Sequence, residues 1–452
     1  MPDSIETRLP TPREALSDLF ESGTYNQIKN LLDSLKPADI AALLESSPPK
    51  ERTIIWNLLP DFEQSEILQQ VDPDVIPDLL ADKSAEELLP VLEQIVSDDD
   101  LTDILQHLPD AITYQVLQSM DSQDRARVEN LLSYPEDTAG GLMNTDTISV
   151  RPRVTLDVVM RYLRRHTELP PMTDNLVVVN SNDEYIGLLP ISTLLVSDPS
   201  MTVREMMVTD VEPIQAHTHR SEVAASFQRY DLVSAPVVGP TGNLLGRITI
   251  DDVVDVIINE ADHSLLGMAG LTEDEDTFAP ILKTARSRAV WLGANLMTAF
   301  LASSVINLFE ATIAKVVALA VLMPIVASMG GVAGSQTLTL VIRSMAQGQL
   351  VESNTRWLVN RELAVGALNG VLWAVIVAVA ASLVFGDYML GLIIAIALVI
   401  NLVVAALAGA LLPGMLKKRG IDPAIAGSVV LTTITDVVGF MSFLGLATLF
   451  YS

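Results

Sequence analysis

Along most of the chain, apolar residues recur singly or in short groups between polar ones. Toward the C-terminal end they form long uninterrupted runs. A bilayer core of ~30 Å needs about 20 apolar residues in a helix. Residues 289–308, 316–342, 363–385, 389–412 and 424–449 meet that requirement with almost no charge, so five transmembrane helices are expected. The runs are rich in small residues, such as Gly366, Gly370, Gly409 and Gly427, which let membrane helices approach closely.

Ahead of the spans the pattern changes twice. From Arg13 to Leu132 apolar residues recur at helical spacing in short groups, such as Ile54-Ile55-Trp56-Asn57-Leu58-Leu59 and Leu88-Leu89-Pro90-Val91-Leu92. Pro48-Pro49, Pro60-Asp61, Asp72-Pro73 and Pro109-Asp110 separate the groups and supply helix stops and starts. A small superhelical array of short helices is expected. From Met143 to Ala261 two similar halves follow. In each, a capped helix precedes a β run, a turn and a second β run: Leu176-Val177-Val178-Val179 with Tyr185-Ile186-Gly187-Leu188-Leu189, then Ala235-Pro236-Val237-Val238 with Leu244-Leu245-Gly246-Arg247-Ile248. Thr155 and the pair Ser221-Glu222 offer helix caps. The second half closes with a helix beginning Asp251-Asp252-Val253-Val254.

Charge divides the chain in the same way. The formal charge is −28, yet from Arg286 onward there are 6 acidic and 9 basic residues. The front is therefore strongly acidic and the back slightly basic. Acidity of this degree excludes nucleic acid as a partner of the front, because phosphate contact needs clustered Lys and Arg. It suits cations or a cation-rich partner, or it serves solubility alone. In the back, Arg286, Arg288, Arg343, Arg356, Arg361, Lys417, Lys418 and Arg419 flank the spans on one side, and only Lys315 lies on the other. The basic side should be cytoplasmic, which puts the N-terminus inside and Ser452 outside a cell inner (plasma) membrane. The polar, acidic start of the chain does not read as a signal peptide. With no cysteine there is no disulfide, thiolate zinc site or catalytic thiol. The five histidines are scattered, no nucleophile–base pairing is visible, and no Gly-Lys-Ser/Thr phosphate loop occurs, so neither an enzyme nor an ATP-driven pump is expected.

One residue carries most of the candidate chemistry. Asp436 is the lone carboxylate inside the last apolar run, in Leu431-Thr432-Thr433-Ile434-Thr435-Asp436-Val437-Val438-Gly439. A charge at bilayer depth costs about 2.5–3.5 kcal/mol and usually faces a bundle interior or an ion path. Thr432 and Gly439 lie one turn to either side, giving oxygen-only chemistry suited to hard cations. A single carboxylate does not neutralise a divalent ion, and a symmetric homodimer with both copies of Asp436 near its axis would supply two charges. Asn401, midway along the fourth run, either makes an interhelical hydrogen bond or joins the ion path. In the second run Pro324 precedes Gly330-Gly331-Val332-Ala333-Gly334-Ser335-Gln336, which should loosen the helix there. Gly330 and Gly331 would then either expose carbonyls to a cavity or mark a packing kink.

The two halves over 143–261 resemble a tandem CBS pair, most specifically in Ser234-Ala235-Pro236-Val237-Val238 and Asp251-Asp252-Val253-Val254. That resemblance implies a sensor of small ligands, often adenosyl nucleotides. Tyr134-Pro135-Glu136-Asp137-Thr138-Ala139-Gly140-Gly141-Leu142-Met143, Gly409-Ala410-Leu411-Leu412-Pro413, and Asp422-Pro423-Ala424 ahead of Asp436 extend the resemblance to nearly the whole chain, to the MgtE family of magnesium channels and transporters. It implies a multidomain architecture. A cytoplasmic α-superhelical N domain (1–132) would precede an α/β CBS pair (133–200 and 201–261), a connecting plug helix (262–288) and a five-helix all-α transmembrane domain (289–452). It also implies a homodimer in the bilayer, with the pore on the dimer axis and Asp436 holding hydrated Mg2+. The cytoplasmic half would sense Mg2+ and close the pore, through Asp231, Asp252, Asp255 and Glu260 and, on the N domain, Asp99 and Asp103. Positions acidic in other members are His219, Ser221, His263 and Ser264 here, and a frequent Gly-Gly-Asn reads Gly330-Gly331-Val332. The expected function is import of Mg2+ down its electrochemical gradient. The alternatives are transport of another divalent ion such as Co2+, or a nucleotide-sensing membrane regulator.

Overall fold

A computed structural model describes residues 11–80, 83–95, 97–271, 277–350 and 352–451. It divides into two compact units, one of residues 1–257 with 276–280, the other of residues 258–275 with 281–452.

The first unit opens with short helices between Pro12 and Leu132, as the apolar grouping predicts. Prolines set their starts. Pro48, Pro60 and Pro109 stand at N-cap positions, while Pro12 and Pro37 open their helices, where a missing N–H costs nothing. The inward faces share one core running from Leu16 through Trp56 and Leu92 to Val128. Arg52 is buried within it, donating from Nε to the Leu44 carbonyl at 2.8 Å and from a terminal nitrogen to the Glu45 carbonyl at 3.0 Å.

Two three-stranded sheets follow. In the first, β1 (Ser149–Val150) runs parallel to β2 (Asn175–Val179), which is antiparallel to β3 (Tyr185–Pro190). The second repeats this with β4 (Ile214–Gln215), β5 (Ser234–Val238) and β6 (Leu244–Thr249), down to a register irregularity at the same place in the middle strand. Each half borrows backbone from outside itself. Val208 exchanges two hydrogen bonds with Leu188 of β3, and Asn144 exchanges two with Arg247 of β6. A Cβ on Gly187 would stand 2.5 Å from the Val208 carbonyl oxygen, and one on Gly246 would stand 2.5 Å from that of Asn144. Glycine at these equivalent positions is what lets the crossing backbone approach. Thr155 stands at the N-cap expected of it. The helix Arg220–Tyr230 is capped by His219, not by Ser221, which lies inside its first turn.

The helix after β6 runs without a break from Ile250 to Met268. Its sequence has no helix breaker at 261–262, so the connecting helix expected over 262–288 is the continuation of this one. It ends where Gly270 takes a left-handed backbone (φ +75°) and Leu271 N–H reaches the Leu266 carbonyl. Residues from Ile281 already belong to the first span.

In the second unit the spans are Ile281–Asn307, Ala318–Ala346, Glu352–Phe385, Tyr388–Lys417 and Pro423–Tyr451, with a short helix Glu310–Lys315 between the first two. Most run beyond the purely apolar runs because polar residues at their ends continue the helix. Span four is the most buried and packs against spans two, three and five, while span one lies on span five. Span two is one continuous helix through Pro324 and the glycine-rich stretch, so the expected loosening does not occur. Close packing explains this. Val326, Gly330, Gly334 and Leu338, each one turn apart, are buried against neighbouring helices, which support the backbone where the local sequence is weak.

Candidate cation path and acidic cleft

Span five is apolar enough to insert, and its helical spacing sorts its polar residues. Thr435 and Gly439 turn inward and are buried, whereas Thr432 and Asp436 are half-exposed. Thr432 and Asp436 open into a groove of roughly 790 Å3 whose other wall is span two. Ser328, Ser335, Gln336 and Thr339 give that wall its polar side chains, on either side of Gly331 and Val332. The signal for these residues is a polar stripe of 3–4-residue spacing on an apolar helix, and it is visible in the sequence once span two is read as unbroken. Among the described residues, Asp436 makes no hydrogen bond or ion pair. The Thr432 hydroxyl donates to the Ser428 and Val429 carbonyls of its own helix at 3.0 and 3.1 Å. Its hydrogen is thereby used, and its lone pairs are left for a cation or for water around one. The groove thus offers oxygen acceptors and one uncompensated negative charge, which suits a hard, hydrated cation.

Asn401, Gly330 and Gly439 do not line this groove. They are buried behind it, where Asn401 Nδ2 donates to the Val326 carbonyl at 2.9 Å. Of the two readings of Asn401, the structure supports the interhelical hydrogen bond. Gly331 does reach the groove, one residue on from Gly330. A second polar contact at depth was missed by sequence reasoning. Glu362, placed just before the third apolar run, is buried in span three and accepts from the Thr337 hydroxyl of span two at 3.1 Å, with Arg361 at 2.6 Å. At the start of span five, Asp422 caps the helix through the Ala424 N–H (2.6 Å) and meets His263 of the connecting helix at 2.5 Å.

In the first unit a different chemistry gathers. The helix Asp98–Gln106 opens with three successive aspartates. Asp98 pairs with Arg127 at 2.9 Å and accepts from the Thr145 hydroxyl at 2.5 Å, and Asp99 accepts from Ser97 and from Asn144 at 3.1 Å. These bonds hold the acidic helix against the helix Ser122–Leu132 and the segment ahead of β1. The remaining carboxylates face Asp251 and Asp252. Desolvation, then the charge of Asp99, pushes Asp100 up to about 7. Desolvation, then Asp99 and Asp251, pushes Asp252 up to about 8. Asp103 keeps exposed surface but stands in a crowded cleft. There desolvation and the charges of Asp99, Asp100, Asp252 and Glu136 raise it well above the carboxylate range. Asp255, one turn beyond Asp252, is raised by desolvation and by Asp251 and Asp72. The structure therefore brings Asp99, Asp103 and Asp252 together and adds Asp100 and Asp251, which the sequence reading left out although they adjoin residues it named. Asp231 ends its helix in an exposed left-handed turn (φ +53°), and Glu260 lies farther along the connecting helix. Among the described residues no three His, Asp or Glu side chains form a ready metal-ligand set.

A helical N domain, a CBS pair and five apolar spans with an uncompensated carboxylate in a groove define a multi-pass membrane protein of the divalent-cation transporter class. Family models agree: "MgtE: Divalent cation transporter" matches residues 323–446, the MgtE intracellular N domain residues 35–137, and the CBS domain residues 139–198 and 203–259. The magnesium transporter MgtE of Thermus thermophilus is 31% identical over 440 residues, covering 96% of this chain and 97% of that protein. That of Bacillus subtilis is 28% identical over 443 residues, with 96% of each chain covered. Among solved structures, the cytosolic domain of the Mg2+ channel MgtE in complex with ATP is 32% identical, covers 54% of this chain and 99% of its own, and has a TM-score of 0.48. The chain belongs to the MgtE family of magnesium transporters.

Proposed function

We propose that the protein is a homodimeric channel or transporter that admits Mg2+ through the groove between spans two and five, with Asp436 as its ion-binding group. The observation that carries this reading is a half-exposed carboxylate with no partner among the described residues, on a membrane helix, facing a wall of hydroxyl and amide groups. One such group per chain leaves a divalent ion half neutralised, and two copies across a dimer axis complete it. Entry follows the electrochemical gradient. An inside-negative potential of 100 mV contributes about 4.6 kcal/mol to a doubly charged ion. Mg2+ also acts as regulator: the acidic cleft holding Asp99, Asp103, Asp252 and Asp255 repels itself when empty and closes when a cation neutralises it, which favours the shut pore. Asp231 and Glu260 extend the sensor by family resemblance. The N domain and the CBS pair are its cytoplasmic parts, the helix Ile250–Met268 connects them to the membrane part, and the spans from Ile281 onward conduct.

The test is Mg2+ flux into proteoliposomes holding the full chain, with lumenal and external Mg2+ varied independently. Wild-type flux should fall as Mg2+ rises on the side bearing the N domain, and Asp436→Ala should abolish flux. Undiminished flux in Asp436→Ala removes the pore assignment. Flux indifferent to Mg2+ on that side removes the sensor.

A further inference from the structure

We propose that Asn401 is a positioning residue for ion selection: it fixes the register of span two against span five and thereby the separation of the groove walls. The inference rests on the groove being the ion path.

The two helices meet along an antiparallel seam. The position of a Cβ on Gly439 lies 3.2 Å from Val326, that on Gly334 lies 3.0 Å from Leu431, and that on Gly427 lies 3.2 Å from Leu338. Moving along span two from 326 to 334 to 338 thus moves along span five from 439 to 431 to 427, one turn matched by one turn. The groove walls lie one residue off this seam. Gly331 and Ser335 follow Gly330 and Gly334, and Thr432 and Asp436 follow Leu431 and Thr435. Any slide or spreading of the seam is therefore passed directly to the walls.

Asn401 is wedged at one level of the seam. It is fully buried, and its Nδ2 donates to the Val326 carbonyl of span two. A Cβ on Gly439 would come within 2.8 Å of that same nitrogen, and one on Gly330 would collide with it. Both glycines are flush against the amide. Its Oδ1 is buried with no hydrogen-bond partner. A leucine would fill similar space in a hydrocarbon bundle without stranding an oxygen, so packing alone does not account for an amide here. A single buried amide that accepts only one alignment of its neighbours specifies register, as in helical bundles in water. Span two then stands at one height and one distance from span five. The hydrated ion that fits between Ser335 and Asp436 is chosen by that distance.

The experiment compares Mg2+ and Co2+ flux through proteoliposomes of the full chain for wild type, Asn401→Leu, Asn401→Ser, Gly439→Ala and the double variant Asn401→Ala/Gly439→Ala. Asn401→Leu and Gly439→Ala should each shift the Mg2+/Co2+ flux ratio by about tenfold, the scale of one methyl group's misfit at a recognition site. The double variant should return toward the wild-type ratio, because the methyl of residue 439 enters the space the amide vacates. A structural role alone would change yield or melting temperature and leave the ratio unmoved. Ratios within about twofold of wild type in monodisperse Asn401→Leu and Gly439→Ala overturn the proposal. So does a wild-type ratio in Asn401→Ser when Asn401→Leu yields no folded protein. Absence of Mg2+ flux in the wild type instead overturns the transport reading on which the proposal stands.

Discussion

Cation binding to the acidic cleft should release protons, and its affinity should depend steeply on pH. Asp100 stands at about 7 and Asp252 at about 8, both raised first by desolvation and then by neighbouring carboxylates. A carboxyl raised in the docked arrangement keeps its proton there and loses it when the domains part. The cation-free docked form is therefore most stable below the ordinary aspartate value of 3.8, and it loses stability progressively as pH rises through about 8. A divalent ion binds carboxylates, so below these values it must displace the protons. For two groups at about 7 and about 8, ion binding releases about two protons at pH 6 and fewer than about one at pH 8, and the Mg2+ midpoint falls roughly 500-fold between them. Calorimetric titration of the purified full chain in two buffers of different ionisation enthalpy counts the protons directly. Asp252→Asn should remove close to one proton from the count at pH 6. A midpoint that stays flat from pH 6 to 8, with no proton release, would refute the argument that these carboxylates are the ones the ion engages.

Three further outcomes follow from single contacts. Arg52→Met leaves the carbonyls of Leu44 and Glu45 without their buried donor and should destabilise the N domain by about 3 kcal/mol, read by chemical denaturation. Glu362→Ala should lower the detergent-phase melting temperature by the equivalent of about 1–3 kcal/mol, because Thr337 and Arg361 both lose their acceptor, whereas Glu362→Gln should lose less than half of that. His263→Ala should speed amide exchange over residues 263–271, since the imidazole contact to Asp422 holds that end of the connecting helix to span five. Unchanged exchange there would mean that the packing of Gly267 on Ala424 suffices.

The features legible in the sequence were those written in period and in charge. Five apolar runs give five spans, doubled β–turn–β patterns give two like sheets, and a carboxylate inside a hydrophobic helix gives Asp436. What escaped depended on partners distant along the chain. The glycine-rich stretch of span two reads locally as a weak helix, yet Asn401 and Leu431 pack against Gly330 and Gly334 and keep it straight. Local propensity loses to tertiary packing there. Glu362 goes unmarked in the sequence because nothing near it reveals Thr337, which precedes it by 25 residues. The resemblance points to Asp99 and Asp252, and a run of like charges does not declare that their neighbours Asp100 and Asp251 share the cleft with them. The same separation runs through the function. Residues that would touch the ion announce themselves by being costly where they stand. Residues that set the spacing around the ion, Asn401 foremost, are satisfied or hidden by neighbours and become visible only when helices two, four and five are brought together. Selectivity should therefore tolerate changes on the exposed face of the groove, such as Val332, better than changes in the buried seam behind it.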